Sequence, residues 1–357
     1  MAYTTINKST DYFNTLLYTG NNTSPRSITG VGFQPDFVWI KDRSDASVSP
    51  LADVVRGANK SIKSSSNDAD ETNSAYGYLT SFDSDGFSMA IGSSNFTRIN
   101  ENSNSYVSWN WKAGTTSSIS GGSITPSSVS INTTSGFGIY KWTGTGSTGT
   151  IAHGLGAVPK FMLIKNLSSA ESWRVYHQSL GNATSLKLNT SDATFSDTGA
   201  FNSTTPSSTL FTVGNSDSTN KSGDSFVAYV FAEKPGYSKF NSFVGNGNAD
   251  GTFIYTGFKP AYVLTKSSST TKHWICFDNQ RANTFNPQNE RILLSSNSAA
   301  YEDNNRAIDF LSNGFKMRDN GTDSSSTNSS GSTQIYMAFA EEPLVANVGA
   351  SIPATAR

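Results

Sequence analysis

The phrase GVGFQPDFVWIKD at residues 30–42 returns as GLGAVPKFMLIKN at 154–166 and as YTGFKPAYVLTKS at 255–267. With Pro35, Pro159 and Pro260 set level, Gly32, Gly156 and Gly257 coincide upstream, and Lys41, Lys165 and Lys266 coincide downstream. The alignment continues without a gap through LADVVRG, RVYHQSLG and ICFDNQR. Asp53, His177 and Asp278 therefore share a position, as do Arg56, Leu180 and Arg281. Trp173 and Trp274 share another, where the first copy has Ser49. DGFSM, TLFTV and NGFKM then correspond, and the copies close on YVSWNW, FVAYVF and QIYMAF. The chain is one unit of roughly 100 residues used three times.

A unit of that length can bury a core of its own, whereas solenoid and propeller repeats of about 20–50 residues lean on their neighbours. The expected organisation is therefore tandem domains. A first repeat spans 1–113, a Ser/Thr/Gly-rich flexible or extended linker 114–136, a second repeat 137–236, a third 237–343, and an extended tail 344–357. The second and third repeats, joined only by EKPGYSK, are expected to hold a fixed mutual angle.

Ser, Thr, Asn and Gly make up about 45% of the chain, while aromatic residues hold at 12%. That mixture suits short strands joined by polar turns, and 22 Phe, 14 Tyr and 6 Trp argue against disorder. Val107, Trp109 and Trp111 alternate with smaller or polar residues in YVSWNW, as a half-buried strand requires. DFVWIK, KFMLIK and AYVLTK are apolar almost throughout, as in central strands starting just after a proline. The glycine ahead of each proline suits positive φ. DVVRGANKSI and NRAIDFLSN are the two short helical candidates. The expected fold class is all-β, with three tandem antiparallel β-sandwich domains of jelly-roll-like arrangement.

Few residues suggest chemistry. Lys plus Arg number 26 against 27 Asp plus Glu, which makes no electrostatic case for nucleic acid or an anionic membrane. No stretch approaches a membrane span, and the N-terminus shows no secretion signal, so the expectation is a soluble chain made in a cytoplasm. Cys276 alone cannot form an intramolecular disulfide. His153, His177 and His273 lie outside zinc-pair spacing, so no metal or cofactor is expected, and no catalytic motif stands out. Asp83 and Asp85 in FDSDGF resemble the start of a calcium loop but read more simply as a turn. Asp53 with Arg56, and Asp278 with Arg281, read as ion pairs that fix a loop, a pattern His177 and Leu180 break. Trp142, Trp173 and Trp274 are candidate sugar-stacking residues, weighed against packing roles. Lys41, Lys165 and Lys266 read as points where a strand emerges into water.

The threefold arrangement of GFQPDFVWIKDRS, WRVYHQSLG, FVAYVFAEKPGYSKF, GNGNADGTFIYTGFKPAYVL and the closing IYMAFAEEPLVANVGASIPATAR resembles the repeat-containing, tail-fibre-like and other virion surface proteins of tailed bacteriophages, marine ones especially. The resemblance covers almost the whole chain and implies a non-enzymatic structural protein on the exterior of a virion. Its expected partners are other virion proteins of tail or capsid, a host cell-surface glycan, and further copies of itself. A tail appendage contacting the host is the first reading. A head decoration or head-fibre protein is the second, and a carbohydrate-degrading tailspike the third.

Overall fold

The computed structural model describes residues 4–114, 118–282, 285–303, 305–321 and 323–343. The strands pair antiparallel throughout, and each repeat builds the same large sheet. In the first, the strand order is Phe13–Thr19, Ser105–Trp111, Phe37–Asp42, Pro50–Asp53, Lys60–Lys63 and Glu71–Thr72. The third repeats it with Ser238–Val244, Thr333–Pro343, Phe258–Ser267, Ile275–Asp278, Glu290–Leu293 and Tyr301–Glu302. The second runs Phe137–Thr143, Ser225–Ala232, Pro159–Asn166 and Arg174–His177. A smaller sheet of two or three strands closes one face of each: Arg26–Thr29 with Gly86–Ala90 and Tyr78–Asp83, Gly149–Ala152 with Leu210–Val213, and Phe253–Tyr255 with Gly314–Met317 and Ile308–Leu311. The repeats are antiparallel sandwiches, as the strand patterns predict.

The shared glycine and proline behave as their chemistry demands. Gly32, Gly156 and Gly257 sit at φ of +88°, +72° and +83°, a region that penalises a Cβ. Ladder register shifts at Pro159 and Pro260, where a missing N–H cannot be paired.

The large sheets explain the uniformly apolar strands. Val38, Ile40 and Tyr106 face the small sheet of the first repeat, in a core that repeat owns. Phe37, Trp39, Val107, Trp109 and Trp111 alternate to the other face and enter a different core, which takes Phe161, Leu163, Tyr229 and Phe231 from the second repeat and Tyr262, Leu264, Met337 and Phe339 from the third. The second and third repeats also keep a core each between their own sheets. Each large sheet is thus buried on both faces, and the fourth, shared core joins all three repeats.

At its centre stand the last apolar residues of the three closing phrases, Trp111, Phe231 and Phe339. Their rings meet pairwise edge to face, with centroids 6.4 Å apart for Trp111–Phe231, 5.7 Å for Trp111–Phe339 and 5.9 Å for Phe231–Phe339. Equivalent residues in mutual contact mark a pseudo-threefold axis.

Three sequence expectations change here. Much of the 114–136 segment packs on the second repeat: Ser128–Asn132 adds an edge strand to its large sheet, and the Ile124 N–H donates to Thr150 O at 2.9 Å. DVVRGANKSI is a single turn, in which the Gly57 N–H donates to Asp53 O at 3.1 Å, followed by the strand Lys60–Lys63; Gly57 at φ +100° ends the turn before a helix can propagate. NRAIDFLSN contains the strand Ile308–Leu311, paired with Gly314–Met317. Residues 344–357, read from sequence as a tail, lie outside the described residues.

Candidate functional site

The residues singled out by spacing converge on the three seams between repeats. Asp53 and Arg56 are both buried, with Arg56 Nε 2.5 Å from Asp53 Oδ2. The same Oδ2 accepts from Tyr229 Oη of the second repeat at 2.7 Å. Arg56 also donates to Leu51 O and Asp70 Oδ1, each at 2.9 Å. Burial works against the guanidinium charge, and Asp53, Tyr229 and Asp70 more than restore it. The third repeat reaches the first in the same way: Asp278 Oδ2 accepts from Arg281 Nε at 2.6 Å and from Trp109 Nε1 at 2.8 Å. Trp109 and Tyr229 occupy equivalent positions of the closing phrases.

The break in the pattern now has a cause. At that position the third repeat has Met337, which offers no N–H or O–H. His177, which stands where the other repeats have Asp, instead meets Tyr336 O at 3.2 Å. Burial lowers His177 to about 4, so the ring is neutral. Its Nδ1 accepts from the Ser179 amide at 3.1 Å, which leaves the proton on Nε2, the nitrogen that donates across the seam. A neutral ring needs no counter-charge, and Leu180 stands in place of arginine, packed against the shared core.

Trp173 and Trp274 clasp the same seams. Each indole is buried, with Trp173 Nε1 donating to Lys63 O of the first repeat at 2.9 Å and Trp274 Nε1 to Lys187 O of the second at 2.8 Å. Trp142 is buried against Phe211 and Phe226. None of these three rings offers a face to a sugar, so the stacking expectation is corrected for all of them.

Lys41, Lys165 and Lys266 do not emerge into water, because neighbouring chain covers each strand end. All three are buried. Lys41 Nζ donates to Ser47 O and to Asn297 O of the third repeat, Lys165 Nζ to Asn166 O at 2.6 Å, and Lys266 Nζ to Ser267 O at 2.7 Å and Ser191 O of the second repeat at 3.3 Å. Burial lowers them to about 8, 8 and 7 respectively. A lysine whose folded pKa lies below its unfolded value of about 10.4 binds fewer protons when folded, so stability rises with pH between the two values. The expected result is a melting temperature that climbs from pH 7 to pH 9, with a shallower climb in Lys266→Met. A flat or falling profile contradicts this placement.

The remaining candidates are used locally. Asp85 accepts from the Gly30 and Gly32 amides at 3.0 and 2.6 Å, and Asp83 from the Ser81 and Ser88 hydroxyls at 2.7 and 2.6 Å, so both carboxylates serve turns. Among the described residues no group of three or more His, Cys, Asp or Glu could hold a metal ion. His153 Nε2 meets Ser207 O, and His273 Nδ1 meets Ser295 Oγ, each at 3.1 Å. Burial pushes the Cys276 thiol up, away from the reactive thiolate. Among the described residues no helix is long and apolar enough to cross a membrane.

A cleft of about 490 Å³ lies between Asp36 and Lys112 of the first repeat and Ile131–Thr134. Burial raises Asp36 to about 6, against the Ala113 amide and Lys112. Asp36 is the one acid lining it among the described residues, whereas glycoside hydrolysis of the usual kind needs a pair.

One feature escaped the sequence reading. Phe253 and Tyr255 are 45% and 56% exposed, side by side on the outer face of the third repeat's small sheet. The signal was present in the alternation of FIY, whose Ile254 alone turns inward.

A family model described as a domain of unknown function, DUF7483, matches residues 8–343 and so runs through all three repeats. No curated protein matches the chain. The chain belongs to the DUF7483 family.

Proposed function

We propose that this is a non-enzymatic protein of a tailed bacteriophage, carried on the outside of the virion, where it works as a tail appendage contacting the host surface. The observation that carries this reading is how the chain spends its reactive side chains. Asp53, Arg56, His177, Asp278, Arg281 and the three equivalent lysines are buried in the repeats and their seams and hold the molecule together. Such a body suits passive display outside a cell, where it must persist without disulfides. An exterior rich in hydroxyls and amides would resist nonspecific charge-driven adhesion.

The pseudo-threefold axis favours a second reading, a decoration protein on the capsid shell. One chain with three equivalent faces can seat on a threefold position as a monomer in place of a trimer. The experiment that separates the two adds labelled protein, in separate tubes, to host bacteria and to virions or empty capsids lacking it. Saturable coating of cells that blocks infection supports the appendage. Coating of capsids alone, at a fixed number per shell, overturns the appendage in favour of decoration, and binding to neither removes both.

A further inference from the structure

The three small sheets match in register, and among the described residues only the third carries a pair of exposed rings, Phe253 and Tyr255, on its outer face. Thr29 pairs with Gly86 and Ser27 with Ser88 in the first repeat. The matching positions of the second are Ala152 with Leu210 and Thr150 with Thr212. In the third they are Tyr255 with Gly314 and Phe253 with Lys316. Ser27 and Thr150 thus correspond to Phe253, and Thr29 and Ala152 to Tyr255. Internal packing does not require the rings, since two of three copies manage without them.

Their setting is specific. A Cβ built on Gly314 would lie 3.2 Å from Cε2 of Phe253, so that ring packs down against the glycine backbone. Tyr255 follows two residues along the strand, about 7 Å away on the same face. Beside Phe253, Lys316 pairs with Asp250, whose carboxylate also lies 3.6 Å from Arg318 Nη1, and Arg318 Nε donates to Asp309 Oδ2 at 2.6 Å. The Asp250 side chain is 78% exposed. Two rings in series with an exposed carboxylate and two cations along one side match a chain of pyranoses, whose C–H faces stack on rings while the hydroxyls reach donors and acceptors at the edge.

Size argues against a second protein. At about half exposure, two rings of 150–250 Å² each offer roughly 200 Å², whereas a stable protein interface takes about 800 Å² from each partner.

We infer that the outer face formed by Phe253 and Tyr255, with the polar groups of Asp250, Lys316 and Arg318, is a carbohydrate-binding platform that takes two consecutive sugar rings of a polysaccharide. It deepens the host-contact reading and rests on that reading only for where the sugar comes from.

The test titrates the full chain with cellohexaose, with chitohexaose and with polysaccharide released from the surface of the host bacterium, followed by calorimetry. Binding to at least one at one site per chain is expected. F253S/Y255T, which installs the residues of the first repeat, should weaken it roughly tenfold or more with an unchanged melting temperature. Failure of all three probes to bind overturns the platform, as does undiminished binding by the double variant. A concentration-dependent dimer that the double variant abolishes also overturns it, since the face would then serve self-association. If the intact chain coats cells and the double variant coats them equally well, the host-contact reading stands and the platform falls. If the chain binds a probe through these rings but coats no cells, the platform stands and the host-contact reading falls.

Discussion

Arg281→Met is expected to destabilise the molecule by about 3–5 kcal/mol, the usual cost of stripping one partner from a buried ion pair. Both side chains are fully buried, so no water can replace the guanidinium. Asp278 would keep the Trp109 Nε1–H and the Gln280 and Arg281 amides as donors but lose its counter-charge. Denaturant titration should show the loss, and a free energy of unfolding equal to the parent protein's would contradict the placement of the pair. Lys8→Ala supplies the contrast: that pair with Asp11 is exposed at 63% and 53%, 3.5 Å apart, and its removal should cost under about 0.5 kcal/mol.

Phe339→Ala is the second large effect, expected at about 3–5 kcal/mol. The ring lies 5.1 Å from Phe13 and 5.7 Å from Trp111 in the first repeat, 5.9 Å from Phe231 in the second, and 6.3 Å from Tyr262 in its own. A cavity at that point is shared by all three repeats and cannot collapse within one of them. Urea unfolding followed through probes placed in each repeat should show the same midpoint shift in all of them. A shift confined to the third repeat would mean that the axis residues are not energetically coupled.

The repeat and the strands were legible because backbone needs leave a mark on the sequence. A glycine at positive φ, a proline at a register shift and a run of apolar residues in the central strand each recur at fixed offsets. What covers the second face of those strands was not legible. An apolar run such as DFVWIK says that both faces are dry, but not whether a small sheet or a neighbouring repeat covers the second face. The lysines were misread for the same reason. A lysine at a strand end normally reaches water, and the carbonyls of Asn297 and Ser191 that receive Lys41 and Lys266 are backbone groups with no sequence signature. The Asp-x-x-Arg pairs were visible as local pairs. Their purpose appeared only once Tyr229 and Trp109 were seen to bond to them from the adjacent repeat, and the His177 exception followed from Met337. The rings of Phe253 and Tyr255 were readable by alternation, and comparison with Ser27 and Thr29 would have marked them.

Three sandwiches that share a fourth core should stand or fall together. Differential scanning calorimetry of the full chain, alone and carrying Phe339→Ala, tests it directly. One transition is expected, with van't Hoff and calorimetric enthalpies that agree, displaced as a whole to lower temperature by the substitution. Two or three resolved transitions, with only one of them moved, would show three separately stable domains and contradict it.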